Sequence, residues 1–270
     1  MNTSTHPLIN KWKDLTKKNN TSLCIGLDPD ISKLPVGYEH STAGIESFLC
    51  DIIDLTYTNC IAYKPNISFF EAYGIDGLQI LKNVITYINK RVPVILDAKR
   101  GDIGNTSLMQ AKFIFDYFDA DATTLHPYMG LDSLEPFFNY KEKYHFVLGL
   151  TSNPGSKDFE EQLMSNDHSL SNFVINTLSK WNSTYNNVGV VVGATANKLA
   201  QVRAIDPNLV FLIPGVGSQG GSYSQAVTNG KNKDNIALIN SSRSILYCSK
   251  HKSDMAKKVP EAINNLTNSL

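Results

Sequence analysis

Eight short apolar runs, each followed by a longer stretch of different periodicity, constrain the fold of this chain more than any other feature. The runs are rich in β-branched residues and end in polar, glycine or proline residues, which predicts strands. These strands are Ser22–Leu27, Ile61–Lys64, Val92–Lys99, Ala122–Leu125, Phe146–Leu150, Val188–Gly193, Val210–Ile213 and Ile236–Asn240. The stretches between and after them predict helices at Ile45–Thr58, Gly77–Asn89, Ser107–Phe118, Ser169–Trp181, Ala196–Ala204 and Met255–Asn265.

Eight strand-then-helix units in 270 residues predict an α/β fold of the (β/α)₈ TIM-barrel type, formed as one domain over residues 1–270. The segment Pro7–Lys18 would be an extra helix that covers the bottom of the barrel. A doubly wound open sheet shows the same alternation and stays open as an alternative. The first strand, however, ends in Gly26-Leu27-Asp28-Pro29-Asp30, which is not the glycine fingerprint of a dinucleotide-binding fold.

Charge and composition limit the partners and the compartment. Lys plus Arg and Asp plus Glu both number 25, and no basic block is present, so we expect no nucleic acid partner. No apolar stretch approaches the roughly 20 residues that cross a bilayer, and the N-terminus lacks a secretion signal. The four cysteines have no metal-site spacing and are interpreted as free thiols. We therefore expect a cytoplasmic protein with no membrane partner.

The end of the third strand carries the most informative charges. Side chains alternate along a strand, so Asp97 and Lys99 point to the same side. Charges at the end of an apolar strand are costly unless they are paired, and a purely structural ion pair is the simplest explanation. Lys64, at the end of the neighbouring strand, allows a longer series of side-chain charges of alternating sign: Lys64, Asp97, Lys99 and Asp102. Such a series is more typical of a catalytic site, although structural networks also gather charges in this way.

Two further polar residues have structural alternatives. Asp102 stands just before a helical pattern and could be only the N-cap of that helix, which is as good an explanation as a catalytic role. His126 follows the fourth strand, and we expect it to make a structural hydrogen bond. The acidic residues on either side of Lys99 in sequence would keep it as an ammonium group, which predicts a proton donor and not an amine nucleophile.

A candidate phosphate site lies after the seventh and eighth strands, where barrels often bind phosphate. The seventh strand runs into the glycine-rich segment Pro214-Gly215-Val216-Gly217-Ser218-Gln219-Gly220-Gly221, whose backbone could approach an anion closely. The eighth is followed by Arg243, whose guanidinium suits phosphate. A tight turn alone would also explain the glycines.

At these residues the chain resembles the orotidine 5′-phosphate decarboxylase family, in particular its longer subgroup. Asp97-Ala98-Lys99-Arg100-Gly101-Asp102 looks like the D-x-K-x-x-D signature, and the segment from Pro214 to Gly220 looks like the phosphate loop. Lys64-Pro65-Asn66, Tyr128-Met129-Gly130 and Thr151-Ser152-Asn153-Pro154-Gly155 are similar to further family motifs. The resemblance implies a homodimer without a cofactor that decarboxylates orotidine 5′-phosphate to uridine 5′-phosphate (UMP), the final step of de novo UMP synthesis.

The resemblance also implies roles for individual residues. Lys99 would protonate C6 of the pyrimidine within a network of Lys64, Asp97 and Asp102, and Asp102 would reach into the partner subunit's site with Thr106 near the ribose. The remaining substrate contacts would come from Asp28, Asn66, Thr151, Ser152, Pro214, Gly215, Gln219, Gly220 and Arg243. Ser242 departs from the glycine that many members carry beside this arginine. The segments Asp30–Ala43 and Gly217–Lys233 are candidate lids.

Three alternatives remain open. One is a Mg²⁺-dependent sugar-phosphate lyase that uses the same D-x-K-x-x-D motif with Asp97 as a metal ligand. Another is an aldolase-type barrel that forms a Schiff base through Lys99 or Lys64. The third is a phosphate-binding barrel without catalytic activity.

Overall fold

Eight parallel strands form the centre of the molecule. The computed structural model describes residues 5–165, 167–193, 196–216 and 222–268, and for residues 196 and 197 it describes the backbone alone. The strands are β1 (Leu23–Gly26), β2 (Ala62–Lys64), β3 (Ile95–Arg100), β4 (Ala122–Leu125), β5 (Tyr144–Leu150), β6 (Val188–Val192), β7 (Phe211–Ile213) and β8 (Leu238–Ser241).

The strands follow the order β2-β1-β8-β7-β6-β5-β4-β3, so β2 and β3 are the two ends of the sheet. Two isolated parallel bridges, Tyr63 with Val94 and Asn66 with Asp97, join these ends. The Asp97 amide donates to the Pro65 carbonyl at 2.9 Å as part of this junction. The sheet therefore closes into the predicted (β/α)₈ barrel, and the open-sheet alternative is wrong.

Helices alternate with the strands around the barrel. They are α1 (Pro7–Asn19), α2 (Thr42–Thr56), α3 (Ser68–Glu71), α4 (Gly74–Ile88), α5 (Gly104–Lys112), α6 (Glu135–Phe138), α7 (Leu170–Tyr185), α8 (Ala196–Ile205), α9 (Tyr223–Gly230), α10 (Arg243–Leu246) and α11 (Met255–Thr267). A π-helical turn, Phe113–Tyr117, continues α5. Within the described ranges, no helix has both the length and the apolar character needed to cross a membrane.

Helix α9 lies within Gly217–Lys233, one of the two candidate lid segments. The Ser222 hydroxyl accepts a hydrogen bond from the Gln225 amide and caps the helix. From Ser222 onward the segment is thus a capped helix over much of its length, and residues 217–221 lie outside the described part of the chain.

The barrel has an inner and an outer apolar layer. Ile95 belongs to the inner layer and its neighbour Leu96 to the outer one, as the alternation along β3 predicts. At the bottom, Trp12 of α1 is fully buried, and its ring lies 5.3 Å from Tyr144 and 5.7 Å from Phe146. The expectation that an extra N-terminal helix covers the bottom of the barrel is confirmed.

His145 is a buried titratable residue within the outer layer. Its ring lies 5.5 Å from Phe115, 6.4 Å from Phe137 and 5.4 Å from Phe138, measured between ring centroids. Burial lowers the pKa of His145 from 6.5 to about 3, because an imidazolium would lose its hydration among these aromatic rings. The folded protein therefore keeps this side chain neutral in mildly acidic solution.

This burial predicts a specific loss of stability in acid. Below pH 6.5 the unfolded chain binds a proton at His145 that the folded state rejects, so the free energy of unfolding falls as pH drops. His145→Leu should remove this dependence, and its stability relative to wild type should rise by about 2 kcal/mol between pH 7 and pH 5. Urea unfolding at both pH values measures the difference. His40→Leu, at an exposed position, is the control; an equal pH effect from both variants would contradict the assignment.

Candidate active site

Two lysines and a threonine surround the Asp97 carboxylate at the C-terminal end of the barrel. Lys64 Nζ lies 2.8 Å from Oδ2, and Lys99 Nζ lies 2.7 Å from Oδ1. The Thr124 hydroxyl, which belongs to β4, also donates to Oδ1 at 2.7 Å. Asp97 and Lys64 are buried, whereas the Lys99 side chain is 48% exposed. Lys99 is therefore the member of this cluster that a substrate at the barrel mouth can reach.

The backbone of β3 becomes irregular where the cluster forms. Lys99 adopts φ of +45°, in the left-handed region that non-glycine residues rarely occupy. The Thr124 hydroxyl oxygen accepts the amides of Ala98 at 3.1 Å and Lys99 at 3.0 Å, and the pairing of β3 with β4 shifts register between Leu96 and Arg100. Residues in such conformations persist only where their surroundings hold them, and they gather at functional sites. Thr124 thus fixes both the carboxylate and the turn of backbone that carries Lys99.

The charges within the cluster stabilise each other. Burial by itself would raise the pKa of Asp97, but Lys64 and Lys99 outweigh it and hold this pKa below its usual value. Burial would likewise lower the pKa of Lys64, but the carboxylates of Asp97 and Asp28 outweigh it and raise this pKa. At neutral pH the site therefore contains an ionised carboxylate and a buried ammonium group.

Asp28 and Asn66 lie at the adjoining ends of β1 and β2. The Asp28 carboxylate accepts the Asn66 amide at 3.2 Å, and Asn66 is bridged to Asp97 across the closure of the barrel. The Asn66 side-chain oxygen accepts the Ser68 amide at 3.1 Å, next to the start of α3. The structure thus brings these two sequence-predicted residues next to the charged cluster.

Asp102 and Thr106 lie away from the cluster. The Asp102 carboxylate accepts the amide of Ile103 at 2.8 Å, and in the described part of the chain it forms no ion pair with Lys64 or Lys99. Within one chain, Lys64, Asp97 and Lys99 therefore meet without Asp102, which the resemblance to a known family placed in the partner subunit's site. The N-cap alternative is wrong, because Ile103 precedes α5 and no side chain caps that helix. Thr106 is exposed in the first turn of α5.

His126 makes the structural contact expected from the sequence. Its Nε2 atom hydrogen-bonds with the Gly101 carbonyl at 3.1 Å, which links the loops after β3 and β4. A Cβ atom at Gly101 would come within 2.8 Å of this nitrogen, so the contact requires glycine. His126 therefore joins two neighbouring loops of the site.

Thr151 and Ser152 follow β5 and line a cavity of about 260 Å³ with Asn153, Gly193 and Lys198. The Thr151 amide and hydroxyl both contact the Glu160 carboxylate, the amide at 2.6 Å. Sequence reasoning missed Glu160, because it lies in an irregular segment with no motif that points to β5.

The phosphate residues are only partly described. Pro214 and Gly215 follow β7, and Gly215 has φ of +89°, a conformation that favours glycine. Arg243 begins α10, one residue after the end of β8, and is exposed. The intervening Ser242 packs against Gly26, where an added Cβ would lie 2.6 Å from the Ser242 Cβ. Gln219 and Gly220 lie outside the described residues.

The coupled charges predict a large stability cost when one partner is removed. Asp97→Asn leaves Lys64 buried without its carboxylate, so we expect the free energy of unfolding at pH 7 to fall by about 3–5 kcal/mol. The lowered pKa of Asp97 stabilises the folded state at pH values above its ordinary pKa of 3.8, and this stabilisation is lost in stronger acid. The raised pKa of Lys64 stabilises the folded state at pH values below 10.5, and this stabilisation is lost at higher pH. The cost should therefore be fully developed between these limits.

Urea unfolding measures this cost, with Asp119→Asn as the control. Asp119 pairs with Lys90 and Lys143 on the surface, where loss of the charge should change stability by less than about 1 kcal/mol. The double variant Lys64→Met/Asp97→Leu removes both charges and should recover part of the loss. An Asp97→Asn variant as stable as wild type would show that the two charges are not coupled.

Comparisons with known proteins show the family of this chain. The family model described as orotidine 5′-phosphate decarboxylase / HUMPS family matches residues 21–258. A relative from Christiangramia forsetii named orotidine 5′-phosphate decarboxylase is 43% identical over 92% of this chain and 93% of its own length, and one of the same name from Herpetosiphon aurantiacus is 43% identical over 93% and 94%. The solved structure of Leishmania donovani OMP decarboxylase is similar with a TM-score of 0.81 and 36% identity, over 97% of this chain and 99% of that one. With the D-x-K-x-x-D residues at the mouth of a barrel of this kind, the chain belongs to the orotidine 5′-phosphate decarboxylase / HUMPS family.

Proposed function

We propose that this protein decarboxylates orotidine 5′-phosphate to UMP, the final step of de novo UMP synthesis. The observation that carries the proposal is the half-exposed Lys99 ammonium, held 2.7 Å from the buried Asp97 carboxylate at the barrel mouth. Relatives that are 43% identical to this chain carry the name orotidine 5′-phosphate decarboxylase. The charged network on which the proposal rests is Lys64, Asp97 and Lys99 of one chain, with Asp102 supplied by a partner.

The reaction follows from the position of the ammonium group. The bond between C6 and the carboxyl carbon breaks, CO₂ leaves, and the electron pair stays on C6. Lys99 stabilises this developing charge and gives C6 a proton, after which solvent returns a proton to the lysine. Asp97 lies near the departing carboxylate, and like charges about 4 Å apart repel by about 4 kcal/mol at an effective dielectric near 20. We assign the larger contribution to stabilisation of the carbanion.

The remaining site residues hold the substrate away from the reacting carbon. Asp28, Asn66 and Lys64 lie near one another and would face the ribose. Ser152, with Thr151, would contact the pyrimidine. The phosphate would bind to Pro214, Gly215, Gln219, Gly220 and Arg243, and its binding energy would position the pyrimidine over Lys99.

The Asp97 contacts favour this reaction over the alternatives. Both carboxylate oxygens already accept hydrogen bonds from ammonium groups, and a Mg²⁺ ion bound there would meet two neighbouring positive charges. A Schiff base needs a neutral amine, whereas each lysine lies within 2.8 Å of a carboxylate oxygen. A barrel that only bound phosphate would not require Lys99 in a left-handed backbone conformation at the mouth of the barrel.

A homodimer would complete the site. Asp102 and Thr106 do not reach the cluster of their own chain, yet both lie on the rim beside β3. Around them three apolar side chains are exposed on the linked loops after β3 and β4: Ile103 by 59%, Tyr128 by 89% and Met129 by 40%. A second copy that covers this surface would bury the apolar groups and bring its Asp102 and Thr106 to the neighbouring mouth.

A cytoplasmic location is also part of the proposal. All four cysteines are free thiols; Cys24 is buried within β1, and Cys60 is buried just before β2. Free thiols of this kind suit a reducing compartment. The substrate, a charged nucleotide, is likewise a small molecule of the cell interior, and neither nucleic acid nor a membrane is needed as a partner.

Removing the proton donor should separate turnover from binding. Lys99→Ala should lower turnover of orotidine 5′-phosphate by at least about 1,000-fold, because C6 loses both its electrostatic partner and its proton source. Titration calorimetry should still detect UMP binding, since the phosphate contacts remain. Lys90→Ala, at a surface ion pair, is the control and should keep wild-type turnover. Normal turnover by Lys99→Ala would remove this lysine from the mechanism.

A shared site also predicts that two inactive variants restore each other. A heterodimer of Lys99→Ala and Asp102→Ala chains has one site with both residues intact and one with neither. After subunit exchange at equal concentrations, activity should therefore recover to about one quarter of wild type. Each variant alone should stay inactive, and a mixture that does not exceed the sum of its parts would show that Asp102 does not act across an interface.

A further inference from the structure

The segment after β5 contains two adjacent glutamates whose carboxylates have different partners. Glu161 accepts the Ser156 hydroxyl and the Lys198 ammonium, both at 2.7 Å. Glu160 is directed back to the end of β5, where it accepts the Thr151 amide at 2.6 Å. Glu160 thus contacts the strand end, whereas Glu161 lines the cavity beside Ser152.

Glu160 spans the distance between α7 and β5. Its backbone carbonyl accepts the amide of Ser171 at 2.8 Å, in the first turn of α7. Its carboxylate oxygens lie 2.9 and 3.0 Å from the Thr151 hydroxyl, which is also 2.6 Å from the Asn153 side-chain oxygen. A hydroxyl donates one proton, so the Thr151 hydroxyl can donate to only one of these acceptors at a time. The Thr151 amide donates to Glu160 alone among the described residues. The bond from the amide to a charged acceptor is of the stronger kind.

Ser152 is held on its other side by β6. The Gly193 amide donates to the Leu150 carbonyl at 2.7 Å, and a Cβ atom on Gly193 would lie 2.8 Å from the Ser152 nitrogen. The backbone of Ser152 therefore rests directly on the glycine that follows β6. With the Thr151 amide fixed by Glu160, the position of Ser152 in the cavity is determined from two directions.

We propose that Glu160 is a positioning residue, which orients Thr151 and, through it, the Ser152 side chain that contacts the pyrimidine. This inference rests on the proposed function, since it assigns a role in the same site. Glu160 itself touches no substrate atom. Its effect would be geometric, because a small displacement of the pyrimidine relative to Lys99 lowers the rate of the reaction.

The test compares steady-state kinetics of Glu160→Ala, Glu160→Gln and Glu142→Gln with orotidine 5′-phosphate as substrate. Glu142 is exposed and precedes β5, at the end of that strand opposite Thr151. Glu160→Ala should lower kcat/KM by at least about 10-fold, the size expected when a hydrogen bond to a charged group is lost. Glu160→Gln keeps one carbonyl oxygen for the Thr151 amide and should lose about three- to fivefold. Glu142→Gln should stay within about twofold of wild type.

Inhibition by inorganic phosphate separates this role from general damage to the protein. Phosphate probes the end of the site near Arg243, so its inhibition constant should not change in any of the three variants. Equal kinetic losses in Glu160→Gln and Glu142→Gln, or a parallel loss of phosphate inhibition, would overturn the positioning role while wild type remains active. A wild-type protein without turnover would overturn the proposed function itself, and this inference with it.

Discussion

The site and the closure of the barrel both depend on the interactions of one buried residue, Asp97. A lone carboxylate inside a barrel would be strongly disfavoured, and here two ammonium groups and one hydroxyl compensate for its lost hydration. The same residue joins β3 to β2, because its amide donates to Pro65 and its carbonyl accepts the Ile67 amide. Closing the barrel between β2 and β3 therefore brings Lys64 to Asp97, and the site forms as a consequence of the fold.

Most of the fold could be predicted from the sequence because parallel strands buried on both faces leave a simple signal. β4 was predicted with its observed bounds, and α1 was placed correctly below the barrel, where Trp12 packs on Tyr144. Helices too short to show a repeating apolar pattern were missed, among them α3, α6 and α10, which have four residues each. The π-helical turn after α5 was hidden within one predicted helix, since a single wide turn hardly changes the apolar pattern.

The site was predictable only where its residues share a strand or stand at neighbouring strand ends. Alternation along β3 placed Asp97 with Lys99, and the neighbouring strand supplied Lys64. Thr124 and Glu160 were missed because they reach the site from another strand and from an irregular segment, and spacing along the chain carries no information on such contacts. Spacing along the chain allowed Asp102 as a fourth member of the cluster, but β3 ends at Arg100, and within one chain Asp102 does not join the cluster.

Decarboxylation by an ammonium group in a charged network is tested most directly by the ultraviolet spectrum of orotidine 5′-phosphate. Purified wild-type protein is incubated with this substrate in excess EDTA, and the absorbance is followed over time. We expect a steady change to the spectrum of UMP, at a rate that EDTA does not alter. A folded protein that leaves the spectrum unchanged, or that acts only when Mg²⁺ is restored, would contradict this mechanism.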